Sequence, residues 1–123
     1  MIAVPISTAG AVSSWGMLIL TSRLDVLNRL GRAMADPTRS RILLTLLEGP
    51  AYPAGLADSL GLTRQNVSNH LACLRGCGLV RSEREGRQVR YELASPRLTH
   101  ALHDLVDLEL HVEVHHEDLD GRR

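Results

Sequence analysis

Cys73 and Cys77 stand four residues apart, with no other cysteine in the chain. On a helix that spacing is about one turn, with Cβ atoms ~6 Å apart. Two thiolates so placed can close on one soft or borderline metal ion through bonds of about 2.3 Å or longer. A strain-free disulfide is difficult between two residues of one helix. Free thiols in a reducing cytoplasm are therefore expected. Buried cysteines also serve as small hydrophobes. At ~100° per residue, Leu71 and Leu74 fall close to Val67, whereas Cys73 and Cys77 fall about 120° and 80° to one side. The pair thus flanks the apolar stripe and leaves its centre to the aliphatic residues.

A second donor cluster lies towards the carboxyl end. Five of the six histidines fall between residues 100 and 116, and His100, His103, Asp107, His111 and His115 recur at helical spacing, followed by His116, Glu117 and Asp118. Imidazole and carboxylate in this pattern suit zinc, nickel or cobalt. The competing reading is a hydrated polar face opposite a dimer-forming stripe.

The cysteines belong to a segment of another chemical character. Thr63 is placed to cap a helix from Arg64 to about Gly76, with Gly78 as its left-handed terminator. Val67, Leu71 and Leu74 point one way, leaving Arg64, Gln65, Asn66, Ser68 and Asn69 outward at the amino end, with His70 and Arg75 following. Arg, Gln and Asn are the residues that pair with base edges and phosphates, and a helix amino end adds free backbone N–H groups. Charge follows the same division. From Thr63 to Leu93 arginines 64, 75, 81, 84, 87 and 90 face only Glu83, Glu85 and Glu92. From Asp104 to Asp120 there are acids and no Arg or Lys, and the whole chain is neutral. Such asymmetry suits one face meeting a polyanion.

The elements needed to position these groups can be read in order. Leu24 to Ala35 has apolar residues at Leu24, Leu27, Leu30 and Met34, one helical face. Asp36-Pro37 stops that helix and caps the next, which runs through Ile42, Leu43, Leu46 and Leu47 to Gly49-Pro50. A short third helix, Pro53 to Leu60, ends at Gly61, and the Arg64 helix follows. Two short helices around a glycine turn form a helix-turn-helix whose second member is the reader. Leu79 to Glu83 and Gln88 to Leu93, joined by Glu85-Gly86-Arg87, read as a β-hairpin wing, with Arg87 and Arg90 as phosphate or minor-groove contacts. Pro96 opens a last amphipathic helix with apolar residues from Leu98 through Leu102, Leu105, Val106, Leu108 and Leu110 to Val112. The expected fold is mainly α with a β-hairpin wing, a winged helix-turn-helix over roughly Tyr52 to Leu93.

Length and composition exclude several classes. With 123 residues and Trp15, Tyr52 and Tyr91 as its large aromatics, the chain supports one thin aliphatic core, so burial by self-association is expected. No stretch approaches the ~18 apolar residues of a membrane span. A glycine-rich phosphate loop, a nucleophile elbow and an obvious acid/base pair are all missing, which argues against an enzyme. Residues 1–22 read as a disordered extension, or begin upstream of a true start at Met17. Residues 23–118 form the DNA-binding and dimerisation domain, and 119–123 a tail.

Three runs carry a resemblance: Arg32-Ala33-Met34-Ala35-Asp36-Pro37-Thr38-Arg39-Ser40-Arg41-Ile42-Leu43, Leu62-Thr63-Arg64-Gln65-Asn66-Val67-Ser68-Asn69-His70-Leu71, and Glu85-Gly86-Arg87-Gln88-Val89-Arg90-Tyr91. They resemble the ArsR/SmtB family of metal-responsive repressors, and Cys73-Leu74-Arg75-Gly76-Cys77-Gly78-Leu79-Val80 looks like its cadmium- and lead-sensing branch. The resemblance implies a homodimer packed through its first and last helices. It also implies binding to double-stranded operator DNA when metal-free and release of an efflux or resistance gene when metal binds. Thr63, Arg64, Gln65, Asn66, Ser68, Asn69, His70, Arg75, Arg87 and Arg90 are then the DNA-binding residues. Cys73 and Cys77 match two of that branch's ligands. Its third, a tail cysteine, aligns with Asp118 here, so His115, His116 or Asp118 would complete a mixed site for cadmium, zinc or lead, or else cobalt or nickel. The cysteine site of arsenic sensors is absent from Tyr52 to Asp58, and the family's Asp/His site on the last helix lacks its usual start, although His103, Asp107, His111 and His115 could build a variant. Two alternatives remain: a thiol redox-sensing repressor on the same scaffold, and a winged-helix protein-interaction module.

Overall fold

The computed structural model describes residues 22–114. Its elements follow the expected order: α1 Arg23–Met34, α2 Pro37–Leu47, α3 Pro53–Leu60, α4 Arg64–Gly76, β1 Val80–Glu85, β2 Gln88–Leu93 and α5 Pro96–Val106. Local chemistry explains most boundaries. Ser22, Asp36, Thr63 and Ser95 each accept a hydrogen bond from the backbone N–H three residues on, satisfying donors that the first helical turn leaves free. Proline opens α2, α3 and α5, where its missing N–H is not needed.

Arginines close several helix ends. Arg39 donates to the carbonyls of Ala33 and Arg32 at the end of α1, Arg41 to Leu60 O at the end of α3, and Arg29 to Gly76 O at the end of α4. Each places positive charge at the negative end of a helix dipole. Gly78, at φ +87°, ends α4: its N–H reaches Arg75 O, and that of Leu79 reaches Leu74 O. These paired bonds form a Schellman motif, whose left-handed residue suits glycine.

Asp36 fixes the corner between α1 and α2. Its carboxylate accepts from the Arg39 N–H at 3.0 Å, and this bond, with further help from nearby His70 and Arg39, holds the carboxyl below the ordinary carboxylate range. A depressed folded-state pKa contributes stability that is present above the unfolded value, about 3.9, and is lost as pH falls through the folded one. Asp36→Ala is expected to lower Tm by a few degrees at pH 7, with the gap to wild type closing below about pH 4. Parallel thermal melts from pH 3 to 7 check this; a gap independent of pH would refute it.

The core is aliphatic. Ile42, Leu56, Val67, Leu71 and Leu74 are fully buried, with Leu43, Leu46, Leu79, Val80, Leu93 and Leu102 around them. The hairpin is antiparallel, pairing Val80 with Leu93 through Glu85 with Gln88. Gly86, at φ +62°, occupies the first central position of its two-residue turn, as a II′-type turn requires. Ala51 extends this sheet by one residue, exchanging both backbone hydrogen bonds with Tyr91 at 2.9 and 2.8 Å.

The apolar face of α1 stays open within the chain: Leu24 and Leu27 are about two-thirds exposed, and Ala33 is the one fully buried residue of the helix. One expectation is corrected: the last helix stops at Val106 instead of running through Val112, and residues 108–114 lie outside regular secondary structure. The sequence explains the early stop. Asp104, Asp107 and Glu109 place carboxylates at the negative end of the helix dipole. From Leu108 to Val114 apolar and polar residues alternate strictly, a period of two that a helix cannot turn to one side.

Candidate metal and nucleic-acid site

The reader helix α4 is fixed by its core stripe. Val67, Leu71 and Leu74 have no exposed surface, so the opposite side must face solvent. Arg64, Gln65, Asn66, Ser68 and Asn69 are all exposed there. Thr63 serves as the amino cap, its hydroxyl accepting from Asn66 N–H at 3.0 Å, and Gln65 donates to Asn69 Oδ1 at 3.0 Å. The hydrogen bond aligns the two amides along the exposed surface of the helix, where both retain free donors and acceptors. His70, expected among the DNA-binding residues, is less exposed than that row: its side chain is 19% exposed and Nδ1 lies 3.9 Å from Asp36, because three residues after Val67 the helix has turned back towards the core.

Arg75 is exposed and donates to Ser82 Oγ on β1 at 3.1 Å, linking reader and wing. The wing divides its arginines by face. Arg81 pairs with Glu92 at 2.6 Å, and Arg90 pairs with Glu83 at 2.8 Å and lies 3.2 Å from Glu85. Arg84, on the other face, and Arg87, at the turn, are exposed and carry no ion pair among the described residues.

Both cysteines are free thiols, Cys73 exposed and Cys77 half-buried against the core. Cys77 caps the carboxyl end of α4, its N–H bonded to Cys73 O at 3.0 Å. It also lines an apolar groove of about 490 Å³ between α1 and α5, bordered by Val26, Leu30, Leu79, Leu98 and Arg97. The donor set fits a thiophilic ion: two accessible sulfurs one turn apart.

The histidine cluster does not assemble in the expected way. His100 pairs with Asp104 at 3.8 Å on an exposed surface, and His111 lies beyond the end of α5. Among the described residues no three His, Cys, Asp or Glu side chains come together as metal donors. His115, His116 and Asp118, the expected completing ligands, lie outside the described residues. Sequence reasoning missed the pairing of Arg90. The signal was present in Glu83, Glu85 and Arg90, which fall on one face of a hairpin with this register.

Residues 36–82 match the bacterial regulatory protein arsR family. The HTH-type transcriptional regulator CmtR of Mycobacterium tuberculosis is 61% identical over 97 residues, 79% of this chain and 82% of that relative. The chain belongs to the ArsR family. It is accordingly a transcriptional regulator and not an enzyme, built as a winged helix-turn-helix. Among solved structures of ArsR relatives, the cadmium metal-sensor CMTR from Mycobacterium tuberculosis superposes with a TM-score of 0.58 at 63% identity, covering 71% of this chain and 91% of that one. A homodimeric winged helix-turn-helix DNA-binding domain from Mycobacterium bovis, a possible ArsR-family regulator, superposes with a TM-score of 0.62 at 30% identity, covering 73% of this chain and 89% of that one. No helix among the described residues of this ArsR protein is long and apolar enough to cross a membrane.

Proposed function

We propose that this ArsR-family regulator is a cytoplasmic metal-sensing repressor. It binds operator DNA when metal-free and dissociates when Cys73 and Cys77 take up a soft or borderline divalent ion, allowing a metal efflux or resistance gene to be transcribed. One observation carries the reading. A single 13-residue helix, α4, presents an exposed Arg/Gln/Asn row at its amino end and the free thiol pair at its carboxyl end. A rotation imposed at the sulfurs is therefore transmitted to the reading surface by one rigid element.

The exposed Leu24, Val26 and Leu27 of α1 and Leu105 and Val106 of α5 support a homodimer through the first and last helices; large apolar side chains left exposed in clusters on a helix are what an association face presents. Two readers must then sit one helical turn of DNA apart to enter successive major grooves, ~34 Å. Cys73 and Cys77 supply two thiolates, and His115, His116 or Asp118 would supply the remaining donors. Such a mixed sulfur, nitrogen and oxygen set suits cadmium and zinc, and lead to a lesser degree. Holding the carboxyl end of α4 through these donors would fix the readers at the wrong separation.

The test is a fluorescence-anisotropy titration, using a duplex selected from a random pool by the metal-free protein. Cadmium, zinc, lead, cobalt and nickel are each added to the complex. Release by cadmium or zinc at stoichiometric metal is expected. Unchanged affinity with every metal would sink the sensing assignment, and release by peroxide alone would transfer the cysteine pair to thiol oxidation.

A further inference from the structure

The wing is braced against the helix-turn-helix by a chain of polar contacts that uses up one of its arginines. Tyr52 sits immediately before α3, and its hydroxyl donates to Glu85 Oε1 at 2.7 Å across 33 residues of sequence. The other carboxylate oxygen of Glu85 lies 3.2 Å from Arg90 Nε, and Arg90 Nη2 donates to Glu83 Oε1 at 2.8 Å. Arg90 is 29% exposed, and its Nε is buried without a well-directed hydrogen bond, so Glu85 balances its charge at close range. The backbone reinforces the same junction, since Ala51, next to Tyr52, exchanges two hydrogen bonds with Tyr91, next to Arg90.

We infer that Arg90 is a positioning residue rather than a phosphate contact: with Glu83, Glu85 and Tyr52 it fixes the angle of the wing, so that Arg84 and Arg87 reach the DNA backbone while α4 occupies the groove. This rests on the DNA-binding reading above. A guanidinium paired to two carboxylates has little net charge to offer a phosphate. Arg87 at the turn and Arg84 on the opposite face carry no such pairing among the described residues. A two-stranded hairpin is marginally stable alone, so its direction depends on what anchors it. The phenol of Tyr52 is held above its ordinary range chiefly by the hydrogen bond to Glu85, which provides an optical handle on the brace.

The two roles predict opposite signs for one substitution. Glu85→Gln removes a negative charge from a DNA-facing hairpin, and simple electrostatics would tighten binding. Loss of the brace weakens it. Affinity for the selected duplex is measured from 50 to 200 mM salt for wild type, Glu85→Gln, Tyr52→Phe, Arg90→Met, Arg90→Lys and Arg87→Met. Glu85→Gln, Tyr52→Phe and Arg90→Met are expected to bind several-fold more weakly, with the salt slope of log K unchanged. Arg90→Lys should recover part of the loss. Arg87→Met should lose about one from that slope, as removal of a phosphate contact does.

Without DNA, amide exchange of Gly86 to Gln88 should quicken in Glu85→Gln and Tyr52→Phe, and Tyr52 in Glu85→Gln should ionise at lower pH than in wild type. Thermal melts confirm that each variant is folded; should Arg90→Met fail to fold, Glu85→Gln and Tyr52→Phe decide the matter. Tighter binding by Glu85→Gln, or a slope lowered by Arg90→Met as much as by Arg87→Met, would overturn this inference and leave the DNA reading intact. Failure of the wild-type protein to select or bind any duplex would overturn both.

Discussion

A Cys73→Ser/Cys77→Ser protein is expected to bind operator DNA as tightly as the wild type in the absence of metal, and to remain bound when cadmium is added. The first half follows from where the thiols sit. Cys73 is exposed and Cys77 lies at the edge of the core, so neither is among the fully buried residues that hold α4 in place. Serine is close in size, and the exposed row from Arg64 to Asn69 is untouched. The second half follows from what serine lacks. A neutral hydroxyl is a poor ligand for a soft ion that thiolates hold well. Regulatory couplings of ~1–3 kcal/mol correspond to roughly 5–150-fold in affinity, and that whole factor should disappear. Anisotropy titrations of both proteins with cadmium decide it: release of the double variant at the same metal concentration as wild type would remove the pair from the sensing mechanism.

Leu71→Ala should be the most damaging single change to the fold. Leu71 has no exposed surface and lies between Val67 and Leu74 on the buried stripe of α4. Truncations of this kind cost ~2–5 kcal/mol, depending on how far the surroundings collapse, against a total stability of ~5–15 kcal/mol. The fully buried residues here are aliphatic and come from several separate elements, so no large ring is available to swing into the void. Urea unfolding should show a sharply lower midpoint with an unchanged slope. Leu27→Ala provides the contrast. Leu27 is 66% exposed within the chain, and its truncation should barely alter a monomer. If α1 is covered by a second copy, the loss should grow with dilution, because the stability of a dimer depends on protomer concentration. A midpoint equally shifted at micromolar and submicromolar protein would contradict the dimer face.

Much of the fold was legible because its boundaries are local events. Asp36-Pro37, Thr63 and Gly78 act through hydrogen bonds to residues within a few positions, so residue type and spacing suffice to place them. The stripe of Val67, Leu71 and Leu74 was equally readable, since helical periodicity is a property of the chain itself. What was missed are pairings between partners distant in sequence. The corner of α1 and α2 brings Asp36 to His70, and the hairpin register brings Glu83 and Glu85 to the guanidinium of Arg90 and Tyr52 to Glu85.

The carboxyl end shows the same division from the other side. Its histidines suggested a continuous helical face, but helical spacing brings side chains together only where the helix persists. α5 stops at Val106, where acidic residues oppose its dipole and the pattern changes to alternation. The sequence by itself determined the order of elements, the caps, the core stripe of α4 and the one-turn spacing of Cys73 and Cys77. All of these are set by covalent neighbours and helix geometry. The tertiary structure alone decided which arginines of the wing are ion-paired and which are not among the described residues, which faces of α1 and α5 remain uncovered, and that Cys77 opens onto the groove between them. Those depend on long-range packing and on charges that become neighbours only after the chain has folded.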